Sequence, residues 1–439
     1  MKHMLCSLIG WFLPFVICFT CLAGCSTDNG NTLPDSNLVM SSPDSAETTL
    51  IVRTSKDAPA LLVYPFDCLQ TQIEIVSEFR KQLLNRTEGS YKMKNDGVAT
   101  DANADANTIE IIIGDTSRSI TATLKTKLQE TGRDAFGILV EGNKIAICGT
   151  GVYLTYLGLD YFLEAYCKTD GTENVYIQIP KDLEYISTPE NPYPDPHEVI
   201  NSGKKYCFYA LDRMTVVPTE GEYGVMQGAC TDGTYAYVAM IRSSSSREIG
   251  IVYKYELRNW KLVAQSKPME LAHINDITYD SKNHRLVSSC CSASDDYYGL
   301  LFIDPDTLES KDYILSPTKN RAVEYIPETD QFILAMGYKF NLTNNQFETI
   351  STTTCGFPYY TTQGLCYDGK YIYDARYQYP AEYQIITINT LANEFIKMVP
   401  LYNIETEPEN IFRYGNTFIM GCNGSDTIYR LGLVYKQWW

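Results

Sequence analysis

The sequence predicts a multidomain protein in which a small α/β domain is followed by a β-propeller of five blades. Three observations predict this fold class. The 439 residues exceed what a single hydrophobic core ordinarily holds. Hydrophobic residues make up 44% of the chain, which excludes wholesale disorder. A turn followed by an aromatic-rich strand recurs in the second half of the chain.

The recurring pattern predicts a propeller over residues 203–439. Four-stranded blades have periods of about 40 to 50 residues. The tyrosine-rich strand 206–210 precedes the first copy and is expected to complete the last blade, so that the ring closes without an unpaired edge. The alternative is six blades, with residues 203–225 as a degenerate copy. The copies start 48, 48, 40 and 46 residues apart, at Gln227, Asn275, Val323, Gln363 and Glu409.

The α/β domain is predicted over residues 47–190. Runs rich in β-branched residues alternate there with stretches whose apolar residues recur at helical spacing. The polar stretch 92–107 is predicted as a loop. Strands are expected at 49–52, 60–64, 108–115, 136–140 and 144–149, and helices at 70–84, 119–130 and 152–167.

Three runs of this domain, Ile111–Thr116, Asp134–Gly151 and Tyr161–Glu164, resemble the small α/β module that precedes the catalytic barrel of bacterial β-hexosaminidases and α-glucuronidases. In those enzymes the module is not catalytic, and no barrel is expected here. The resemblance therefore implies an association with extracellular carbohydrate and no glycosidase activity. The segment Gly149–Gly151 lacks the third glycine of a dinucleotide-binding loop, because Leu154 stands in its place.

The first 24 residues have the pattern of an export signal. Lys2 is the only charged residue before the apolar run Leu8–Ile17, and Pro14 interrupts that run. The segment Leu22-Ala23-Gly24-Cys25 resembles the lipobox of bacterial lipoproteins. That resemblance implies cleavage after residue 24, lipid attachment at Cys25, and anchoring to the extracytoplasmic face of the cell membrane. An ordinary secretory signal is the alternative.

Two further segments are predicted to be extended. Residues 25–46 are rich in Ser, Asp, Asn and Pro, which is typical of a flexible tether. Residues 191–202 contain Pro192, Pro194 and Pro196, and they are predicted as a linker between the two domains.

Charge and composition exclude several classes of partner. The formal net charge of −17 repels phosphate backbones, so nucleic acid is not expected to bind. Only four histidines are present, and the one Cys-x-x-Cys, Cys18 to Cys21, lies in the export signal. We therefore predict no metal site and no cofactor. Ten of the 14 cysteines lie outside the signal and lipobox, and the sequence leaves their disulfide status open.

The candidate binding site is the channel of the propeller. Inner strands line such a channel, and a polar residue on a buried strand costs desolvation unless it finds a partner. His273 and Arg321 lie just upstream of two copies. Such groups suit a glycan or another polar ligand, although they would equally hold the ring together by bonding to one another. The repeated polar positions are Gln227, Asn275, Asp276, Glu324, Gln363 and Glu409.

Four more residues are predicted at loops or strand ends, where they would stack on sugar faces. They are Tyr338, Arg376, Tyr377 and Tyr379.

Some five-bladed propellers are glycosidases in which three carboxylates on successive inner strands act as base, modulator and acid. The positions that correspond here are Gln227, Asp276 and Glu324. An amide cannot accept the proton that the base must take, so Gln227 counts against this scheme. An elimination assisted by His273 is a further alternative.

Three hypotheses follow from the sequence. The favoured one is a surface lipoprotein that binds a glycan or cell-wall component through the channel without turnover. The second is an exported carbohydrate-active enzyme, either a hydrolase or a lyase, that uses Asp276, Glu324, Glu409 and His273. The third is a scaffold whose propeller docks another protein.

Overall fold

The computed structural model describes residues 49–435, apart from 53, 88, 106, 170–174, 219–222, 243–248, 271–272, 292–297, 355–359, 379–382 and 405. The predicted signal at 1–24, the lipidation site Cys25 and the tether 25–46 lie outside the described residues. In the part that is described, no helix has both the length and the apolar character that a membrane crossing needs.

The described residues between 49 and 201 contain four α-helices, nine strands and a short 3-10 helix, Asp101–Asn103. The predicted helices at 119–130 and 152–167 are confirmed to within one residue, and the predicted helix at 70–84 continues to Thr87. In chain order the elements are β1 (Thr49–Val52), β2 (Ala60–Tyr64), α1 (Gln70–Thr87), β3 (Tyr91–Asn95), β4 (Glu110–Ile113), α2 (Ser119–Glu130), β5 (Phe136–Glu141), β6 (Lys144–Gly149), α3 (Val152–Tyr166), β7 (Cys167–Thr169), β8 (Val175–Pro180), β9 (Glu184–Ser187) and α4 (Pro196–Asn201).

Six of these strands form a mixed sheet in the order β3-β2-β4-β6-β5-β9. β2 pairs in parallel with β3 and β4, and β4 pairs in parallel with β6. Helices cover both faces, so the central strands are apolar on both sides. Ile111 and Ile113 pack with residues of α1 and α3, whereas Ile112 packs with residues of α2. A separate three-stranded sheet has the order β1-β8-β7.

Two predictions in this half are wrong. The stretch 92–107 is not simply a loop, because β3 runs through its first residues. β3 is an edge strand that buries Tyr91 and exposes Lys92 and Lys94, so its composition looks polar. The linker 191–202 is not extended throughout, because α4 begins at Pro196. Proline is favourable at the first helical position, and the Asp195 carboxylate caps the helix by accepting the backbone N–H of His197 at 2.8 Å.

Residues 206–435 are almost entirely β-structure. In the described residues, one five-stranded sheet, two four-stranded sheets and one eight-stranded sheet account for the strands. The strands are β10 (Tyr206–Val216), β11 (Tyr223–Thr231), β12 (Tyr235–Arg242), β13 (Ile249–Glu256), β14 (Lys261–Gln265), β15 (Met269–Glu270), β16 (His273–Asp280), β17 (Arg285–Cys291), β18 (Tyr298–Ile303), β19 (Ser310–Leu315), β20 (Ala322–Ile326), β21 (Gln331–Met336), β22 (Lys339–Asn344), β23 (Thr349–Thr354), β24 (Thr361–Tyr367), β25 (Tyr371–Gln378), β26 (Tyr383–Thr390), β27 (Phe395–Tyr402), β28 (Phe412–Tyr414), β29 (Thr417–Cys422) and β30 (Thr427–Tyr435).

The sheets follow one another as a propeller-like repeat. The separate sheets are β11-β12-β13-β14, β16-β17-β18-β19 and β20-β21-β22-β23, and β15 pairs with β13. The first strand of each sheet contacts the first strand of the next, so β11 contacts β16, β16 contacts β20, and β20 contacts β24. β24 contacts β28, and β28 and β29 contact β11. We call β11, β16, β20, β24 and β28 the inner strands.

The ring is closed by strands from the two ends of the β-rich part. β10 pairs antiparallel with β30, from Tyr206 opposite Tyr435 to Val216 opposite Thr427. The expected pairing of 206–210 with the last strand is confirmed, and the described part of 203–225 contains β10 and the start of β11. A short parallel pairing between β10 and β27 completes the eight-stranded sheet, whose order is β24-β25-β26-β27-β10-β30-β29-β28.

The α/β part packs directly against β10. The Thr71 hydroxyl donates to the carbonyl of Ala210 at 2.9 Å, and the backbone N–H of Val152 donates to the Asp212 carboxylate at 2.7 Å. Aromatic and aliphatic side chains of α3 and α4 join the apolar cluster around β10. The two parts therefore share a continuous packed contact.

Candidate functional site

Bulges in three inner strands occur at the predicted polar residues. The pairing register shifts between Met226 and Ala229 on β11, between Ile274 and Asp276 on β16, and between Thr362 and Gly364 on β24. The residues skipped by these shifts include Gln227, Asn275 and Gln363. A bulge leaves a residue unpaired and changes the direction of its side chain, and bulges are frequent next to functional sites.

Two glycines allow the inner strands to approach one another at this level. A Cβ atom on Gly228 would lie 2.6 Å from the backbone nitrogen of Ile277, and one on Gly364 would lie 2.6 Å from the Cα of Asn410. No side chain fits at such distances. The Gln-Gly pairs at 227–228 and 363–364 therefore combine a polar side chain with close backbone contact to the neighbouring strand.

The Asp276 carboxylate ties three inner strands together. Its Oδ1 accepts the backbone N–H of Ile277 at 2.9 Å, and its Oδ2 accepts the N–H groups of Val323 and Leu365, both at 3.2 Å. The side chain is buried. Burial and the nearby Glu324 carboxylate raise the pKa of Asp276 well above its usual value, and the three N–H groups partly offset this.

Glu324 bridges the same three strands one layer further along the channel. Its carboxylate accepts the Thr278 hydroxyl at 2.8 Å and the backbone N–H of Tyr367 at 2.8 Å. Burial raises the pKa of Glu324 to about 7, against these favourable hydrogen bonds. Both carboxylates thus bind the ring from within, as the structural alternative in the sequence predicts.

The half-buried polar groups of the channel mouth form a second layer. The Gln363 amide donates to a Glu407 carboxylate oxygen at 2.6 Å. Burial raises the pKa of Glu407, while this hydrogen bond and the nearby His273 lower it. The Asn275 amide donates to the carbonyl of His273 at 3.2 Å and contacts the Cys291 sulfur at 3.1 Å. Strands far apart in the sequence therefore contribute to one polar cluster.

Glu407 is a mouth residue that the sequence analysis missed. It lies two residues before Glu409, which was chosen because it begins a copy of the repeat. Glu409 is only 4% exposed, and burial followed by repulsion from Glu407 raises its pKa well above the usual value. The alternation Glu407, Glu409 was a signal available in the sequence, since residues two apart in an extended segment share a side.

The remaining predicted polar residues differ in exposure. Gln227 is buried, and its amide donates to the carbonyl of Met226 at 2.7 Å. The Asn410 amide, which the sequence analysis missed, donates to the carbonyl of Gln227 at 2.8 Å. Arg321 is half-buried, and its carbonyl accepts the Ser289 hydroxyl at 2.6 Å. Arg321 directly precedes β20, at the same end of the inner strands as His273 and Gln363, whereas Gln227 belongs to the ring wall.

The prediction that Arg376 lies at a strand end open to ligand is wrong. Arg376 lies within β25 and is fully buried, with its Nε donating to the Asp374 carboxylate at 2.7 Å. Its guanidinium also donates to the carbonyl of Gly337 at 3.2 Å. Burial raises the pKa of Asp374 to about 6, against the attraction of Arg376. Asp374, two residues earlier on the same strand, is the partner that the sequence analysis did not recognise.

The structure describes two of the three predicted tyrosines. Tyr338 is 39% exposed, and Tyr377 is half-buried. Tyr379 lies outside the described residues. Tyr338 follows Gly337, whose carbonyl accepts the Thr362 hydroxyl at 3.0 Å beside Gln363. Tyr338 is thus at the same end of the channel as the polar cluster.

The mouth cluster can hold a polar ligand by hydrogen bonds. It offers imidazole, amide, guanidinium and carboxylate groups, so it can both donate and accept. Across the described ranges, His, Cys, Asp and Glu side chains form no group arranged to hold a metal ion. The mouth cluster consists of His273, Asn275, Arg321, Gln363 and Glu407.

Comparisons with known proteins give little. No protein-family model matches the chain, and no curated protein sequence matches it. Among solved structures, hydrazine synthase of Kuenenia stuttgartiensis is 12% identical to this chain, with a TM-score of 0.30. The match covers 51% of this chain and 66% of the hydrazine synthase chain, which is slightly less than two thirds. A gluconolactonase of Xanthomonas campestris is 7% identical with a TM-score of 0.32, covering 53% of this chain and 98% of that one. Such low TM-scores carry no argument about function.

Proposed function

We propose that this protein is a lipid-anchored surface protein of a bacterium that binds a glycan or cell-wall component at the channel mouth of a five-bladed propeller, without turnover. The observation that carries the proposal is the mouth cluster. Gln363 and Glu407 form a 2.6 Å hydrogen bond there, beside His273, on segments that are far apart in the chain. Binding sites of this kind combine a concave scaffold with a few converging polar groups.

The chemistry of the mouth cluster favours a glycan over a charged ligand. Sugar hydroxyls donate and accept at once, and the cluster contains both donors and acceptors. One carboxylate and one guanidinium balance each other, so neither a strong anion nor a strong cation is favoured. The exposed ring of Tyr338 at the same end adds a surface on which the apolar face of a sugar can stack.

The carboxylates deeper in the channel support binding over hydrolysis. Two carboxyl groups must reach the scissile bond for glycoside hydrolysis. Asp276 is buried and accepts three backbone N–H groups, and Glu324 accepts hydrogen bonds from two neighbouring inner strands. Using either one on a substrate would break contacts that hold the ring.

A carbohydrate-active enzyme is the second candidate, and one observation favours it. Burial places the pKa of Glu324 at about 7, in the range of a general acid near neutral pH. His273 and Glu409 would be the further catalytic groups. If the protein is such an enzyme, the wild type should release a product from a carbohydrate substrate, and Glu324→Gln should abolish that release.

The binding test uses the full chain on a glycan array, together with assays for reducing sugar and unsaturated product. Glu407→Gln and His273→Ala should each weaken binding by about tenfold or more, because each removes hydrogen bonds that involve a charged or polar group. Glu328→Gln is the matched control, since Glu328 is exposed in the turn after β20 and lies away from the mouth. Product release would establish the enzyme instead. A blank array combined with a specific protein partner would establish a scaffold.

The membrane anchor is tested separately. In a bacterial host, the wild-type chain should fractionate with membranes and carry an acylated N-terminal peptide by mass spectrometry. Cys25→Ala should leave the protein unacylated. Acylation that persists in this variant, or its absence from the wild type, contradicts the lipobox assignment.

A pH titration of stability tests whether Glu324 is buried in the ring. A carboxyl group whose folded-state pKa is raised contributes stability below its unfolded pKa, and loses it as the pH rises through the folded value. Relative to Glu324→Gln, the free energy of unfolding of the wild type should therefore fall by about 1 to 3 kcal/mol between pH 4.5 and pH 7. Urea unfolding at a series of pH values measures this difference. A flat difference would mean that Glu324 is not buried in the ring.

A further inference from the structure

A cleft lies at the carboxyl edge of the parallel strands of the α/β part, away from the propeller channel. β2, β4 and β6 are parallel, and the chain leaves this edge after Tyr64, Ile113 and Gly149. From β2 the chain runs through α1 to β3 on one side, and from β4 it runs through α2 towards β6 on the other. Strand order therefore reverses between β2 and β4. In open α/β sheets, ligands bind in the crevice at such a switch point.

The β-rich part covers this edge and leaves a cavity of about 510 Å³. Ligand sites commonly enclose about 300 to 1,000 Å³ and often lie between domains. Both halves of the chain contribute to the lining. The side chains that bear on the argument are Asp115, Lys125, Asp212, Arg213, Arg258 and Trp260.

Two lining residues carry buried polar atoms that have no hydrogen-bond partner among the described residues. One is Oδ2 of Asp212, whose other oxygen accepts the backbone N–H of Val152. This oxygen forms an ion pair with Arg430 at 3.8 Å, a distance too long for a hydrogen bond. The other is the indole N–H of Trp260, a residue that is 6% exposed. A buried polar atom without a hydrogen-bond partner costs free energy. A ligand that donates to Asp212 and accepts from Trp260 would remove this cost.

The charges of the cavity disfavour an anionic ligand. Lys125 is paired with Asp115 at 2.6 Å, and Arg213 lies 3.5 Å from Asp67. Arg258 donates to the carbonyl of Gly132 at 2.8 Å. The amino end of α3, where a phosphate would bind, already holds the Asp212 carboxylate. An uncharged ligand with neighbouring donors and acceptors fits the two unpartnered atoms and the balanced charge.

We propose that this interdomain cleft is a second binding site, for a small neutral polyhydroxylated ligand such as a mono- or disaccharide. A ligand hydroxyl donates to Oδ2 of Asp212, and a ligand oxygen accepts the indole N–H of Trp260. The site is independent of the mouth cluster, because none of its lining residues belongs to the inner strands. It joins the two halves of the chain through one ligand.

The test is titration of the full chain with a panel of neutral mono- and disaccharides, followed by tryptophan fluorescence and saturation-transfer NMR. The full sequence also contains Trp11, Trp438 and Trp439, so the fluorescence of Trp260 is obtained as the difference between the wild type and Trp260→Phe. At least one sugar should bind saturably. Asp212→Asn and Trp260→Phe should each weaken that binding by about tenfold in the NMR titration, because each disturbs one hydrogen bond to the ligand. The corresponding sugar phosphates should bind less tightly.

The matched control is Tyr255→Phe. The hydroxyl of Tyr255 is also buried without a partner, and its ring lies 6.2 Å from that of Trp260, but Tyr255 does not line the cleft. This variant should bind like the wild type. If Asp212→Asn fails to fold, Trp260→Phe alone decides the outcome. Absence of saturable sugar binding, or a loss as large in Tyr255→Phe, overturns the proposal. Glu407→Gln should leave this binding unchanged, which separates this site from the channel mouth.

Discussion

Two turns of the β-rich part, one at Asp232 and one at Asp368, are built alike and used differently. Each lies between an inner strand and the next strand of its sheet, in the sequence Asp-Gly-x-Tyr-x-Tyr. Oδ1 of Asp232 accepts two backbone N–H groups at 2.8 and 2.7 Å, and Oδ1 of Asp368 does so at 2.9 and 2.8 Å. In both turns Oδ2 accepts a tyrosine hydroxyl at 2.7 Å, from Tyr237 or Tyr373.

The two carboxylates differ in their other partners. Oδ2 of Asp368 also lies 2.8 Å from His197 Nε2 and 3.3 Å from an Arg413 nitrogen, and its side chain is fully buried. Among the described residues, the Asp232 carboxylate accepts only the two N–H groups of its turn and the Tyr237 hydroxyl. The repeat therefore supplies the turn, whereas docking of α4 depends on a cation and an imidazole from outside the turn.

The largest expected difference in the free energy of unfolding is between the variants of Asp368 and Asp232. Asp368→Ala should lower the free energy of unfolding by about 3 to 5 kcal/mol, because it removes one partner from a buried charged network. Asp232→Ala should cost about 1 to 2 kcal/mol, the loss of the turn and one tyrosine hydrogen bond. Urea unfolding measures both. Equal losses would show that His197 and Arg413 contribute nothing through Asp368.

The tyrosines should instead behave alike. Tyr237→Phe and Tyr373→Phe each remove one hydrogen bond to a carboxylate, and each should lower the free energy of unfolding by about 1.5 to 3 kcal/mol. Burial, followed by the adjacent carboxylate, raises the pKa of both phenols, so neither ionises near neutral pH. Thermal denaturation of the two variants side by side is the measurement. A difference above about 1 kcal/mol breaks the equivalence.

The turn glycines provide a sharper test of equality. Gly233 and Gly369 have φ angles of 92° and 93°, a region that other residues rarely adopt. A Cβ on Gly233 would meet nothing within 4 Å, and one on Gly369 would meet only Glu328 at 3.5 Å. Substitution to Ala should therefore cost about 1 to 2 kcal/mol at either site, from backbone strain alone. Unequal shifts in the unfolding midpoint would reveal a contact beyond the turn.

The smallest expected effect is that of removing the His197 imidazole. His197→Ala should lower the free energy of unfolding by about 0.5 to 1.5 kcal/mol, because a half-buried hydrogen bond to Asp368 is lost. His284→Ala is the control, since His284 forms exposed contacts with Asp306 at 3.0 Å and the Tyr279 hydroxyl at 2.8 Å, which together should contribute less than about 1 kcal/mol. When Asp368 is already replaced by Ala, the further change His197→Ala should no longer lower the free energy of unfolding. An effect that persists there would be due to packing.

The features that the sequence predicted correctly depend on residues close together in the chain, and most of those it missed depend on residues far apart. Local signals succeeded: the Asp-Gly turns, the hairpin 136–149 and the helices at 119–130 and 152–167 depend on residues a few positions apart. β3 and α4 were missed because one is a polar edge strand and the other begins at a proline. Arg376 was misplaced because its partner Asp374 is a buried charge, and an isolated arginine is ordinarily exposed.

The candidate site shows the same division. The repeat spacing placed His273 and Gln363 at the same end of the channel, where both lie beside Glu407 although they are far apart in the sequence. The fixation of Asp276 by N–H groups from Val323 and Leu365 has no sequence signal, since it depends on how three strands converge.

The pairing of β10 with β30 has a consequence for biosynthesis. Tyr206 is made more than two hundred residues before Tyr435, its partner in the sheet. During synthesis, the edge of β10 that pairs with β30 stays open until the residues of β30 have been made. Long-range closure of this kind is slow and leaves an incomplete chain exposed to aggregation. A premature stop shortly before Thr427 would remove the whole closing strand and leave every other sheet intact.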